Sequence, residues 1–232
     1  MFGKATITLA LASLACVIAG PGLAHLGLLP TMAGLIVFAL SGVLGLVAIA
    51  AALVSALRYK AWFHALVGML GFLPLIAVFA VTADGLRYPP INDISTDTTD
   101  PPAFTHAGTL PELAVRDLTF PVGNGKIIEK YYPELTSVHF DEPALQVHQR
   151  AKAIASSKLF GWIITRENEN YSGFEAIAIT RLFRWNDDVI VRIRPDGEKA
   201  CVVDVRSRSR EGKSDLGANA RRIRRFISAL QE

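Results

Sequence analysis

At 232 residues, with 24 Lys and Arg against 21 Asp and Glu, the chain has room for one globular domain plus added segments. Its formal net charge of +3 hides a split: up to Ala83 the only charges are Lys4, Arg58 and Lys60, and every acidic residue follows. That partition excludes an ordinary soluble domain and reads as a membrane segment followed by a soluble one.

Three apolar runs, at about 5–29, 31–57 and 61–82, each reach the roughly 20 residues a spanning helix needs, so residues 1–83 are expected to be a membrane anchor. Pro21 and Gly22 interrupt the first run. A cleaved signal peptide is its alternative reading, with Lys4 as the basic end, "ITLALASLACVIAG" as the apolar core and "GLA" before His25 as the cleavage site. Lys4 and the pair Arg58 and Lys60 stand two spans apart, and the positive-inside rule assigns both sites to the cytoplasm. The expectation is an integral membrane protein of a bacterial inner membrane, amino terminus cytoplasmic and residues 84–232 extracytoplasmic. Cleavage of the first run leaves that address unchanged. No Asp, Glu, Lys or Arg falls within a span, which argues against an ion path or proton relay. Gly45, Ala48, Ala52 and Ala56 form a small-residue stripe suited to packing the spans against one another.

Residues 84–140 read as an extended Pro- and Asp-rich arm with no long element, because the paired prolines of "RYPPINDISTDTTDPPAF" withhold backbone donors. Residues 141–232 are expected to be an α+β core. A helix opens at Asp141 and Pro143, with Val147, Ala151, Ile154 and Ala155 on one face, and Gly161 ends it. Four strand signals follow, "WIITREN", "FEAIAITRLFRW", "DVIVRIRP" and "KACVVDVRSRS", with short turn-forming joints. They predict an antiparallel four-stranded meander. A last helix, about Ser214 to Leu230, turns Leu216, Ile223, Phe226, Ile227 and Leu230 inward. The fold class is thus an N-terminal α-helical transmembrane region followed by an α+β domain, the meander flanked by two helices.

"DVRSRSREGKSDLGANARRIRRF" carries the chemistry. Strand alternation lines Asp204, Arg206, Arg208 and Arg210 on one face, and Val203, Val205, Ser207 and Ser209 on the other. Guanidinium forks beside the amides of a helix start suit phosphate or carboxylate. The candidate anion site is therefore Arg206, Arg208, Arg210, Ser214, Asp215 and Asn219, joined by Arg192 if the register allows. A small anionic molecule or a lipid headgroup is its expected ligand. The alternative is a structural or partner-docking module in which the acidic arm, Asp93, Asp97 and Asp100, consumes the arginines. A third reading is a hydrolase-type enzyme using Glu175 or Asp188. Catalytic motifs are missing: there is no G-x-S-x-G, "VGNGKII" is not a P-loop, and His106, His139 and His148 lack metal-ligand spacing. No cofactor, metal or nucleic acid is expected. The bilayer is the expected partner, with a protein partner left open.

Together "PINDISTDTTDPPAF", "YYPELTSVHF", "GWIITREN", "DDVIVRIRPDG" and "VDVRSRSREGKSDLGANARRIRRF" resemble the domain of unknown function 1499 family, over Arg87 to Leu230. The resemblance implies an uncharacterised envelope protein with no catalytic residue to carry over. It marks Asp93, Asp97, Asp100, Asp188, Arg192, Asp204, Arg206, Ser207, Ser209, Arg210, Ser214, Asp215, Gly217 and Asn219 as motif positions.

Overall fold

The computed structural model describes residues 2–83, 85–113 and 116–232. Asp84, the expected first residue of the arm, lies outside the described residues. The chain divides into two units, Met1–Leu86 with Arg181–Arg184, and Arg87–Thr180 with Trp185–Glu232.

In the first unit, helices α1 (Phe2–His25) and α2 (Thr31–Tyr59) are followed by α3 (Trp62–Gly68), a 3-10 turn at Met69–Gly71, and α4 (Phe72–Thr82). Three helical stretches, Gly3–His25, Thr31–Tyr59 and Trp62–Arg87, are long and apolar enough to cross a membrane. Pro21 stays inside α1 rather than ending it, and the chain instead turns at Gly27, at φ +71°. Pro74 falls in the first turn of α4, where a missing N–H is tolerated. Residues Gly34, Ser41, Gly45, Ala48, Ala52 and Ser55 of α2 are buried within the unit. A Cβ on Gly45 would lie 2.4 Å from the Gly71 carbonyl oxygen, so the helices meet backbone to backbone there. Thr6 and Ser55 add a hydroxyl–hydroxyl bond of 3.1 Å between helices.

The second unit is built on a six-stranded antiparallel sheet: β1 (Asp93–Ser95), β2 (Val138–Phe140), β3 (Ile163–Glu167), β4 (Gly173–Ile179), β5 (Asn186–Pro195) and β6 (Cys201–Ser209). The order is β1-β6-β5-β4-β3, and β2 pairs with the other end of β6. Strands β3 to β6 are the expected meander. The arm, however, is not merely extended: it supplies β1, β2 and the helix α5 (Asn124–Tyr131). Strands of three residues carry no readable period, which is why they escape a pattern search.

Helices α6 (Ala144–Ser156) and α7 (Ala218–Gln231) complete the unit. Pro143, not Asp141, stands at the N-cap of α6. Helix α7 begins after Gly217, at φ +76°, four residues later than Ser214, so Leu216 lies in the preceding turn instead of the apolar stripe. One face of the sheet is apolar: Phe174, Val189, Val191, Ile193, Val203 and Val205 join Val147, Ala151 and Ala155 of α6 and Ile223, Phe226 and Leu230 of α7 in one buried cluster. Trp162 stacks on Phe226 at 4.8 Å between ring centroids. The other face carries Glu175, Asp188, Arg192, Asp204, Arg206 and Arg208, and residues 96–113 and 116–122 strap across it. Among the described residues of that strap the single helical turn is Ala107–Thr109.

Candidate functional site

Antiparallel register assembles the charged face. On β5 and β6, Arg192 stands opposite Asp204 and Asp188 opposite Arg208, while β1 sets Asp93 opposite Arg208 and Ser95 opposite Arg206. Directly opposed residues share a face, so the arginines of β5 and β6 and the carboxylate of β1 converge. Arg206 is only 1 % exposed. Its Nε and Nη2 donate to the two oxygens of Asp93 at 2.9 and 2.8 Å, and Nη1 and Nη2 to the carbonyls of Pro102 and Leu118 at 2.9 and 2.8 Å. Phe104 and Phe120 lie against the guanidinium, their centroids 4.8 and 5.3 Å away. A cation this deep is tolerable only because a bidentate carboxylate and two carbonyls replace its water.

Arg192 does the same work at the start of the strap, donating to Asp204, Asp97 and Asp100 at 2.8–3.1 Å and to the Asp100 carbonyl at 2.7 Å. Arg194 adds contacts to Asp204 and Asp97, and the Ser137 hydroxyl donates to Asp204. At the far end Arg210 chelates Asp188 at 2.7–3.1 Å and reaches Glu112 at 3.1 Å. Burial works against the charge of Arg192 and Arg210, yet their bonded carboxylates outweigh it and hold both pKa values above the ordinary arginine range. Arg208 donates to the Asp117 carbonyl at 2.7 Å and lies 3.8 Å from Asp93, while its buried Nη1 has no hydrogen-bond partner.

Glu175 clasps the middle of the strap. It accepts from the amides of Thr105, His106 and Ala107 at 2.7, 2.8 and 2.9 Å and from the Thr105 hydroxyl at 2.7 Å. Burial pushes its pKa up, but these donors outweigh burial and leave it below the usual glutamate value. Asp188 goes the other way: burial raises it, Arg210 opposes, and Asp187 and Glu175 raise it further. Both carboxylates named for acid–base chemistry are thus engaged in holding the chain. Among the described residues, no three His, Cys, Asp or Glu side chains are grouped to hold a metal.

The remaining predicted residues bond on the helix side of the sheet. The Ser207 hydroxyl donates to Asn219, which in turn donates to Ser209 and to the Asn92 carbonyl. Arg222 bonds Ser207, Asn219 and Asp187. At the start of α7 the Asp215 carboxylate accepts from the amides of Gly217 and Asn219 at 2.8 and 2.6 Å, filling the place reserved for an anion, and Ser214 accepts from the Leu216 amide at 3.4 Å. The candidate set therefore falls into two bonded groups: Arg192, Arg206, Arg208 and Arg210 with the strap, and Ser214, Asp215 and Asn219 with α7. Sequence reasoning missed Glu112, Phe104, Phe120 and the carbonyls of Pro102 and Leu118, none of which belongs to a periodic segment.

A family model described as "Protein of unknown function (DUF1499)" matches residues 93–230. No curated protein and no solved structure matches the chain. The match starts at Asp93, the first residue of β1 and the partner of Arg206, and ends at Leu230, the buried last apolar residue of α7. It spans the whole sheet with its strap, and the chain belongs to the DUF1499 family.

Proposed function

We propose that the chain is a membrane-anchored docking module of the cell envelope, its sheet domain extracytoplasmic, which binds a partner rather than catalysing a reaction. One observation carries this reading: Arg192, Arg206 and Arg210 are each matched to carboxylates of their own chain, two of the three to the acidic arm. Charge spent on the strap's own anchors shapes a surface and leaves little attraction for a free anion. The orientation rests on Lys4, Arg58 and Lys60. A second reading, an anionic small molecule or lipid headgroup on the arginine face, is favoured at one atom, the unpartnered Nη1 of Arg208.

Thermal unfolding of the full chain in nanodiscs separates the two readings. Phosphate and glycerophosphate should leave the midpoint in place, while Arg192→Ala lowers it. A ligand at a hundredfold its Kd adds about 2.7 kcal/mol, so a shift of that size lost in Arg208→Ala would sink the docking reading. Orientation is read from a cysteine at Glu198 in an exposed turn, since Cys201 is buried. An impermeant maleimide should label Glu198→Cys in cells whose outer membrane is permeabilised and whose inner membrane is intact; labelling only after lysis reverses the topology.

A further inference from the structure

Arginines under the strap are spent on their own chain, but two others are not. The run "TRLFRW" reads as a continuation of β4, yet the strand stops at Ile179 and residues 180–185 form a tight loop. The Thr180 amide donates to the Trp185 carbonyl at 2.9 Å, and the Trp185 amide to the Thr180 hydroxyl at 2.8 Å. Arg184 closes the turn with a left-handed backbone, at φ +59°. The tip, Arg181–Arg184, belongs to the first unit with the apolar helices. Phe183, 4 % exposed, meets Phe38 of α2 edge to face at 5.7 Å between ring centroids. Its neighbours Arg181, Leu182 and Arg184 are exposed. Among the described residues no carboxylate pairs with Arg181 or Arg184, and the chain has no Asp or Glu between Glu175 and Asp187.

Helix α2 sets the depth of that tip. At about 1.5 Å per residue its 29 residues span about 43 Å, against about 30 Å of hydrocarbon in a bilayer. A centred helix enters the hydrocarbon about 6 Å from its start, and Phe38 lies about 10 Å beyond Thr31. The ring packed on Phe38 is therefore just inside the apolar layer, with headgroup phosphates within reach of the arginines on either side. We propose that the tip Arg181–Arg184 is a lipid contact: Leu182 enters the acyl layer, and Arg181 and Arg184 hold the phosphate of an anionic phospholipid. Guanidinium forks match phosphate oxygens, and long basic side chains reach from apolar surroundings to the headgroups. The Phe183–Phe38 contact decides the occupant, because it seats the tip on a span and so beside lipid, not beside a soluble partner. The leaflet is the one at the start of α2, opposite Arg58 and Lys60. This proposal rests on α2 crossing a bilayer and is independent of the docking role and of the arginines on β5 and β6.

A fluorophore on the tip reads both depth and headgroup preference. Dansyl is placed on Leu182→Cys in the full chain, with Cys16→Ala as background because the other cysteine, Cys201, is buried. The protein is reconstituted in phosphatidylcholine nanodiscs with a fixed small fraction of quencher lipid, a nitroxide high on its acyl chain. The quencher is either phosphatidylcholine or phosphatidylglycerol. Both should quench the tip, and phosphatidylglycerol should quench more, each arginine near the surface giving about a fivefold preference. Arg181→Gln with Arg184→Gln should bring the two quenchers level. The unfolding midpoint should stay in place, since both side chains are exposed and make no ion pair. A tip quenched by aqueous iodide and by neither lipid would stand in water, open to a soluble partner, and would overturn the assignment. Equal quenching by the two lipids in the wild type would remove the phosphate from it. A preference for phosphatidylglycerol that survives the double substitution would take the arginines out of it.

Discussion

The two faces of the sheet solve one problem with opposite chemistries. On the α6 and α7 side, Val203 and Val205 bury against aromatic and aliphatic groups, where shape and area suffice. On the strap side, Asp204 and Arg206 of the same strand are just as buried, at 0 and 1 % exposure, and every contact depends on a matched partner. An apolar face tolerates approximate packing, whereas a charged face is costly unless each ion finds its counterpart. In exchange the charged face pins a long irregular segment that no apolar stripe would hold in one conformation.

The largest effects should come from cutting one anchor on each face. Phe226→Ala removes a fully buried ring from the apolar side, at about 3–5 kcal/mol. Arg206→Ala leaves buried Asp93 with only the longer 3.8 Å contact to Arg208, also at about 3–5 kcal/mol. Urea unfolding measures both, and a silent Arg206→Ala would erase the contrast between the faces. The sharper variant is the double replacement Asp93→Leu with Arg206→Met, which removes both charges and should recover much of the loss. If it recovers stability while amides of the strap exchange faster, the ion pair serves conformational specificity.

Smaller changes are expected at the clasp. Glu175→Gln points an amide donor at backbone amides and should cost roughly 1–3 kcal/mol, with faster hydrogen exchange at Thr105, His106 and Ala107. Acid should act there too. The folded pKa of Glu175 is lowered from 4.5, so its stabilisation is present above that value and is lost as pH falls through the folded pKa. Asp188 and Asp215 are raised by burial, so their contribution has the opposite sign, favouring the fold once protonated and fading as pH rises through their folded values. Exchange followed downward in pH should therefore show protection at residues 105–107 fall below the ordinary glutamate value, ahead of protection at Gly217 and Asn219. Simultaneous loss at both places would mean that the fold, not the clasp, is titrating. The smallest effect belongs to a surface pair: Arg150→Ala, which breaks the partly exposed pair with Glu142, should cost about 0–1 kcal/mol by thermal unfolding.

Much of the architecture was legible locally. The sparsely charged opening third, the three long apolar helical stretches and the four-strand meander all follow from runs and alternation that neighbouring residues display. "VDVRSRS" announced two faces, and the two faces are there. The strap was not legible, because Arg206 finds Asp93 and Pro102 more than a hundred positions away and two of its acceptors are carbonyls, which leave no mark in residue type. Likewise Asp215 was counted among the candidate anion-site residues, but only the left-handed turn at Leu216 and Gly217 let its own carboxylate reach the amides of Gly217 and Asn219, where an outside anion was expected.

By itself the sequence determined that long apolar helices precede an α+β domain and that β6 is apolar on one side and charged on the other, since hydrophobic length and period-two alternation are local properties. Only the tertiary structure decided which carboxylate meets which arginine and that β1 and β2 of the arm join the sheet. Those outcomes depend on register and on contacts between distant segments, which no local pattern encodes.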